Sequence, residues 1–369
     1  MAISRGLKSS NPLLLHGGDI RSASQQYGIP VEQWIDLSTG INPVPYPVEY
    51  LPPDAYHHLP YVQPELLERA SEYYRNGNLL PVPGSQSVIA LLPGCLPSAA
   101  VLVPEVGYQE HVNHWRQSGA NITAYPAFDM AESVAFIDAA LADNPRQHLV
   151  VINPNNPTGL CFSAGQLERW AERLADGCYL IIDEAFIDTD ARRSVLERHF
   201  HNNMIVLRSF GKFFGLAGIR LGFVFAHQRV LARLQVYLGA WSVNGPAQSV
   251  AIAALGNVVW QQQARDEIEQ SARLTQEVFR PLLGEQAEWG ESVVTHQPLF
   301  STYRLAQERA QHLTQYLAER GILLRYIPFG NTSQTDADVL VRIGILNRKN
   351  PLSVACVTEA VTEAIGAFG

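Results

Sequence analysis

The chain has 369 residues, enough for two domains or for one large domain with an appendage. Hydrophobic residues make up 47% and charged residues 17%, so a substantial core can be buried. The formal net charge of −8 argues against a nucleic-acid scaffold. It leaves an anionic substrate open, because a few local arginines outweigh a distant net charge. The segment Met1 to Ser10 lacks the apolar core of a signal peptide, and no run approaches the roughly 18 apolar residues of a membrane span. Cys95, Cys161, Cys178 and Cys356 show no CxxC spacing and read as reduced thiols of a cytoplasmic protein. No metal, membrane or nucleic-acid partner is expected.

Residues 11–60 are rich in Gly, Pro and Asn. Leu15-His-Gly-Gly-Asp-Ile20 and Asp36-Leu-Ser-Thr-Gly-Ile-Asn-Pro43 read as ordered loops, not helices. His16 with Gly17 and Gly18 can present an imidazole and bare amides to an anion; a turn with an incidental histidine is the plainer reading. Asn42 before Pro43 reads as a turn residue. The Pro-rich segment from Pro43 to Pro64 joins this arm to the main body.

A helix is expected over 64–76. Gly84 and Ser85 then open a short apolar helix that Pro93 ends. Its N-terminus, with free amides and the positive end of the dipole, is a candidate anion site. No Gly-Lys-Ser/Thr follows, so it is not a Walker loop. Strands and helices alternate from there: strand 100–103, helix 108–118, strand 121–125, helix 132–143, strand 149–152. Ser163 and Gln166 form a capping box for a helix over 163–177 that Gly177 stops. Strands at 179–182, 204–207 and 219–225 follow. Continuous apolar strands between helices predict a mostly parallel sheet covered on both faces. Ligands collect at the carboxyl ends of such strands, where Asn156, Asp183 and Lys212 fall.

The stretch Leu207 to Phe223 carries the clearest chemistry. Lys212 sits among Gly211, Gly215, Ala217, Gly218 and Gly222, whose small size lets a planar group approach the backbone. Ser209 and Arg220 suit a phosphate. Apolar neighbours and a nearby cation would lower the lysine pKa and free an amine nucleophile. An imine-forming lysine beside a phosphate clamp suggests pyridoxal phosphate. A surface lysine on a Gly-rich loop is the alternative.

The last third reads as α+β: helices over 246–255 and 258–281, strands at 293–295 and 300–304, a helix over 306–320 ending at Gly321, strands 322–326 and 339–345, and a closing helix from 352. Arg325 and Arg342 lie in strands. If buried, each needs an anionic partner.

Asn153-Pro-Asn-Asn-Pro-Thr-Gly159, Asp183-Glu-Ala-Phe186 and Ser209-Phe-Gly-Lys212 with Arg220 resemble the fold-type I pyridoxal phosphate enzymes of the class I/II aminotransferase family. The resemblance spans nearly the whole chain and rests on the order and spacing of the motifs. It implies Lys212 as the lysine that binds the cofactor covalently and Asp183 as the carboxylate that keeps the pyridine nitrogen protonated. It further implies Asn156 on the ring 3-oxygen, Tyr108 stacked on the ring, and Ser209, Arg220, Ser85 and Gln86 around the phosphate. Arg342 matches the arginine that grips the substrate carboxylate. The implied domains are an arm at 1–45, a large cofactor-binding domain at 46–257 and a small domain at 258–369, and family members assemble as homodimers with the cofactor near the interface.

Within the family, the chain is most similar to the threonine-phosphate decarboxylases of cobalamin biosynthesis, through His16-Gly17-Gly18, Asn42-Pro43 and Phe186. There His16, Gly17 and Asn42 are implied to meet a small phosphorylated substrate, with Arg325 joining Arg342. Histidinol-phosphate aminotransferases are the neighbouring group and the alternative function. Three departures stand out. Asp19 replaces the usual asparagine, and beside a phosphate it would have to turn away. Phe186 stands where many aminotransferases carry a tyrosine hydroxyl. Tyr61, in Leu59-Pro60-Tyr61, stands near the place of a tyrosine that reaches the neighbouring subunit's cofactor phosphate.

Overall fold

Runs of Val, Ile and Leu bounded by turn residues form the strands that carry the site. The computed structural model describes residues 16–48, 51–198, 200–284, 292–329 and 338–368; the segment Met1 to Ser10 and Leu15 lie outside them. In chain order the strands are β1 (Ile35–Asp36), β2 (Leu79–Val82), β3 (Ala100–Pro104), β4 (Ile122–Tyr125), β5 (Gln147–Ile152), β6 (Leu180–Asp183) and β7 (Met204–Ser209). They continue with β8 (Gly222–Ala226), β9 (Ser292–Gln297), β10 (Phe300–Ala306), β11 (Ile322–Leu323), β12 (Arg325–Pro328) and β13 (Asp338–Gly344). No helix among the described residues is long and apolar enough to cross a membrane.

The large sheet has the order β2-β8-β7-β6-β5-β3-β4. The pairs among β3 to β7 are parallel, and β8 runs antiparallel to both β7 and β2. The mostly parallel sheet expected from the sequence is present, with an antiparallel edge. Its strands are apolar throughout because both faces are covered. Leu149, Val151, Ile182 and Val206 enter one core, while Val150, Ile181, Ile205 and Leu207 enter the other. Each of these side chains is fully buried, worth about 1.5–3 kcal/mol apiece. Polar side chains are thereby pushed to the strand ends, where Asp183 and Ser209 lie.

A second sheet, β12-β13-β10-β9, is antiparallel. It packs with the helices Val258–Leu283, Gln307–Ala318 and Pro351–Phe368 around a separate core that includes Phe279, Leu313, Val341 and Val361. The N-terminal segment joins it: β1 pairs in parallel with β11, and Leu37 is buried in this core.

Several local expectations are corrected. The helix Ser85–Cys95 runs through Pro93. Proline's fixed φ is helical and its missing N–H and ring disturb a single turn close to the helix end, and Leu96 N–H still reaches Leu92 O at 3.0 Å. The helix Ala164–Arg173 ends before Gly177. Ser163 Oγ accepts from Gln166 N–H, but the Gln166 side chain turns to Arg169, so only half the capping box forms. The expected strand 219–225 starts at Gly222, after a 3₁₀ turn Ala217–Ile219 and Arg220 in the left-handed region at φ 56°. The expected strand 322–326 divides at Leu324, β11 joining β1 and β12 joining β13. The helices Ile20–Tyr27 and Gln228–Leu238, and strand β2, were not anticipated.

Behind β6 and β7, Arg208 is buried with two carboxylates. Its Nη1 donates to Glu184 Oε2 (3.2 Å) and Ser194 Oγ (3.1 Å), and its Nη2 donates to Asp188. Its guanidinium also stands 4.6 Å from the centre of the Tyr74 ring. Arg208→Ala should destabilise the fold by about 3–5 kcal/mol, because two buried carboxylates lose their cation. The urea unfolding midpoint measures this, and a wild-type midpoint would contradict it.

Candidate active site

The site begins where the large sheet delivers its strand ends. Gly84, at φ 80°, precedes the first turn of Ser85–Cys95. A Cβ there would meet Arg220 Nη2 at 2.7 Å, and a Cβ on Gly222 would meet the Ser85 amide nitrogen at 2.7 Å. Two missing side chains thus bring a guanidinium and a helix N-terminus together, with Ser209 at the end of β7 beside them. This is an anion cradle.

Asp183, the last residue of β6, is buried. Its Oδ2 is 3.0 Å from Nε2 of buried His111, and its Oδ1 accepts from Ala185 N–H at 3.1 Å. Tyr108 donates its hydroxyl to Gln86 Oε1 at 2.8 Å. Burial, then the Glu110 and Asp183 charges, push the Tyr108 phenol well above its ordinary range, so it stays neutral. Lys212 reaches into the same cavity. Burial, with Arg342 and Arg220 adding to it against the opposing Asp183, brings its pKa down to about 8. Its Nζ stands 5.4 Å from the centre of the Phe186 ring.

A second cavity of about 200 Å³ adjoins the first and shares Lys212, Tyr108 and Asn156 with it. It is a space for a small molecule. His16, Gly17, Arg325 and Arg342 line its remaining sides. Arg325 and Arg342 face each other across β12 and β13. Burial, then the neighbouring Arg325, lowers the Arg342 pKa to about 10, with Asp36 opposing. Arg342 donates to Asn156 Oδ1 and to Ser38 O, each at 2.5 Å, and its buried Nε has no hydrogen-bond partner. Two facing guanidiniums, one with a spare donor, make a receptor for a carboxylate or phosphate.

The structure brings Ser85, Gln86, Tyr108, Asn156, Asp183, Ser209, Lys212 and Arg220 around one cavity. It puts His16, Gly17, Arg325 and Arg342 around the next. Asn42 is a correction. It is buried, with Nδ2 donating to Phe213 O (3.0 Å) and Oδ1 accepting from Val44 N–H (3.0 Å). Its amide is used on backbone, so it holds the lysine loop and is not among the residues lining either cavity. Asp19 caps the helix Ile20–Tyr27 by accepting from Ser22 N–H at 3.0 Å, which answers how an acid is tolerated there. Gly17 has a steric reason, since a Cβ would lie 2.3 Å from Ser38 O. Sequence reasoning missed His111 and Glu110. The signal for His111 was its place three residues after Tyr108, on one helix face.

The residues fit pyridoxal phosphate: a glycine-lined anion cradle, a buried carboxylate backed by a histidine, and a lysine amine with a depressed pKa. The profile of the family described as aminotransferase class I and II matches residues 53–345. The chain belongs to that family. It is 37% identical to a threonine-phosphate decarboxylase of Pseudomonas aeruginosa, over 85% of this chain and 89% of that one. It is 42% identical to a threonine-phosphate decarboxylase of a Sinorhizobium species, over 66% of this chain and 72% of that one. A crystal structure of the histidinol-phosphate aminotransferase from Sinorhizobium meliloti, in complex with pyridoxal-5'-phosphate, superposes with a TM-score of 0.75 over 100% of this chain and 99% of that one, at 18% identity.

In cofactor-free protein, acylation of Lys212 should show a pH midpoint near 8 by mass spectrometry. Arg342→Ala should raise that midpoint and Asp183→Ala should lower it, following the sign of each charge. Between about 8 and 10.5 the unfolded chain holds a proton that the folded chain has lost, so this residue makes stability rise with pH there. A midpoint at the ordinary lysine value would refute the depressed amine.

Proposed function

We propose that this chain is a pyridoxal phosphate-dependent decarboxylase that converts O-phospho-L-threonine to 1-aminopropan-2-yl phosphate and carbon dioxide in cobalamin biosynthesis. The observation that carries this reading is the pairing of two decarboxylase relatives at 37% and 42% identity with a small cavity where a histidine and two arginines meet Lys212. The large domain of the proposed division, 46–257, holds the cofactor residues, and the parts at 1–45 and 258–369 supply His16, Arg325 and Arg342.

When bound, pyridoxal phosphate supplies an electron sink conjugated to the substrate α-carbon. The chain does the rest. Arg220, Ser209 and the amides at Ser85 and Gln86 hold the cofactor phosphate. Asp183, steadied by His111, keeps a proton on the pyridine nitrogen. Tyr108 and Asn156, which line the same cavity, would cover the ring and donate to its 3-oxygen. Lys212 would hold the cofactor covalently; in the cofactor-free chain its amine, with a pKa brought down to about 8, is partly neutral and able to attack. Arg342, with Arg325, would grip the substrate carboxylate and so set the orientation of the bond that joins it to the α-carbon. Once the substrate amine has taken its place on the cofactor, the freed Lys212 ammonium would be the proton donor at hand for the α-carbon that loses carbon dioxide. His16 and Gly17 receive the substrate phosphate. The cavity is too small for a macromolecule, and a cytoplasmic setting accords with four cysteines that are all free.

An aminotransferase acting on histidinol phosphate is the second reading, supported by the likeness to that enzyme's fold. Incubation with pyridoxal phosphate and phosphothreonine should release carbon dioxide at the rate the substrate is consumed, and Lys212→Ala should stop it. Pyridoxamine phosphate formation coupled to 2-oxoglutarate, without carbon dioxide, would overturn the decarboxylase reading.

The protein is a homodimer in this reading, with the cofactor near the interface. Support comes from an exposed apolar group: Tyr61 is 72% exposed and meets the exposed Trp241 edge-on at 6.0 Å, with Tyr56 and Leu59 also exposed. Sedimentation should show a dimer at assay concentration; an active monomer would contradict it.

A further inference from the structure

Glu110 lies in the first turn of the helix Gln109–Gln117, with only 12% of its side chain exposed. The chemistry above does not use it, yet three side chains converge on it. Its Oε1 is 3.3 Å from His16 Nε2. Its Oε2 is 3.2 Å from His114 Nε2 and accepts from Gln86 Nε2 at 2.5 Å. His16 lines the substrate cavity and Gln86 the cofactor cavity.

A carboxylate can only accept hydrogen bonds, so each nitrogen that bonds to it must carry a proton. The 3.3 Å approach of the Glu110 carboxylate therefore favours the tautomer with the proton on His16 Nε2, which leaves Nδ1 as the ring nitrogen turned away from it. A dianionic phosphate needs a proton on Nδ1, whereas a monoanionic phosphate brings its own. In either pairing one proton bridges ring and phosphate. The same logic fixes Gln86. With its nitrogen turned to Glu110, its Oε1 is left to accept the Tyr108 hydroxyl, as observed at 2.8 Å. The negative charge of Glu110 would repel a phosphate if it faced the cavity; ringed by His16, His114 and Gln86, it faces donors instead.

We propose that Glu110 is a positioning residue that sets selectivity for a phosphorylated substrate, by presenting His16 to the phosphate through Nδ1. The proposal rests on phosphothreonine being the substrate. The test is the ratio of kcat/KM for phosphothreonine to kcat/KM for threonine. Any effect of Glu110 through Gln86 and Tyr108 acts on both substrates and cancels in that ratio.

Glu110→Ala should lower the ratio about tenfold or more, the usual consequence of losing a hydrogen bond to a charged group. Glu110→Gln should lower it less, because an amide oxygen can still accept from Nε2. In a His16→Ala background, Glu110→Ala should change the ratio by less than about twofold, since the two residues act as one unit. An unchanged ratio in both Glu110 variants, or an equal fall with His16 already removed, would overturn the proposal. Glu110→Gln, close to glutamate in size, carries the test if the alanine variant loses its far-ultraviolet circular dichroism. A wild-type enzyme with no preference for phosphothreonine would instead sink the substrate assignment, before any substitution is made.

Discussion

The site depends on holding one amine where an ammonium is disfavoured. Lys212 is half-buried at the cavity, with Arg342 and Arg220 nearby and Asp183 opposing them. The amine is kept from escaping by the loop that bears it. Gly211 is so close to Ala217 that a Cβ would lie 2.7 Å from its Cα, and Gly215, at φ 70°, is equally close to Pro45. The flanking aromatics are fixed too. Phe210 stacks on Phe214 at 4.2 Å, and Phe214 stacks on Trp260 at 5.7 Å. A loop with no spare volume on either side cannot swing its lysine into solvent.

These contacts also show why the sequence was read correctly for partly the wrong reason. Apolar neighbours in sequence suggested a dry setting for Lys212. Phe210, Phe213 and Phe214 instead point into the core beneath it, and the ring beside the amine belongs to Phe186, on another strand end. The cofactor half of the site was legible because its residues sit where apolar strands must stop, at spacings set by one residue per strand end. The substrate half was less so. Arg325 and Arg342 could be picked out as strand arginines, but their opposition depends on the chain changing sheets at Leu324, which a continuous apolar run conceals. Asn42 does act as a turn residue, its Oδ1 accepting from Val44 N–H two residues on, but its second tie, to Phe213 O, spans 171 residues and has no local signal. Glu110 and His111 stand in a polar helix whose composition suggests a solvent face.

Charge is distributed to suit that division. The net charge is −8, yet the cavity is lined by Arg325, Arg342, Lys212 and His16, with no carboxylate among the described lining residues. Acids in the vicinity are occupied: Asp183 by His111, Asp36 by the Ser38 amide and hydroxyl, Glu110 by three donors. An acidic protein thus offers a cationic interior to an anionic substrate.

The hydrogen bonds that close the site join parts of the chain that are far apart in sequence. Asn42 and Phe213 are separated by 171 residues, and Ser38 and Arg342 by 304. The parallel strands of the large sheet, by contrast, are joined by nearby segments. Closing long loops costs more chain entropy than closing short ones. The sheet can therefore form while the ends of the chain are still free, and the substrate cavity is completed only when both ends have docked. Local opening of the segment that bears Ser38 or of the strand that bears Arg342 would therefore abolish catalytic competence while leaving the spectroscopic signature of the large sheet in place.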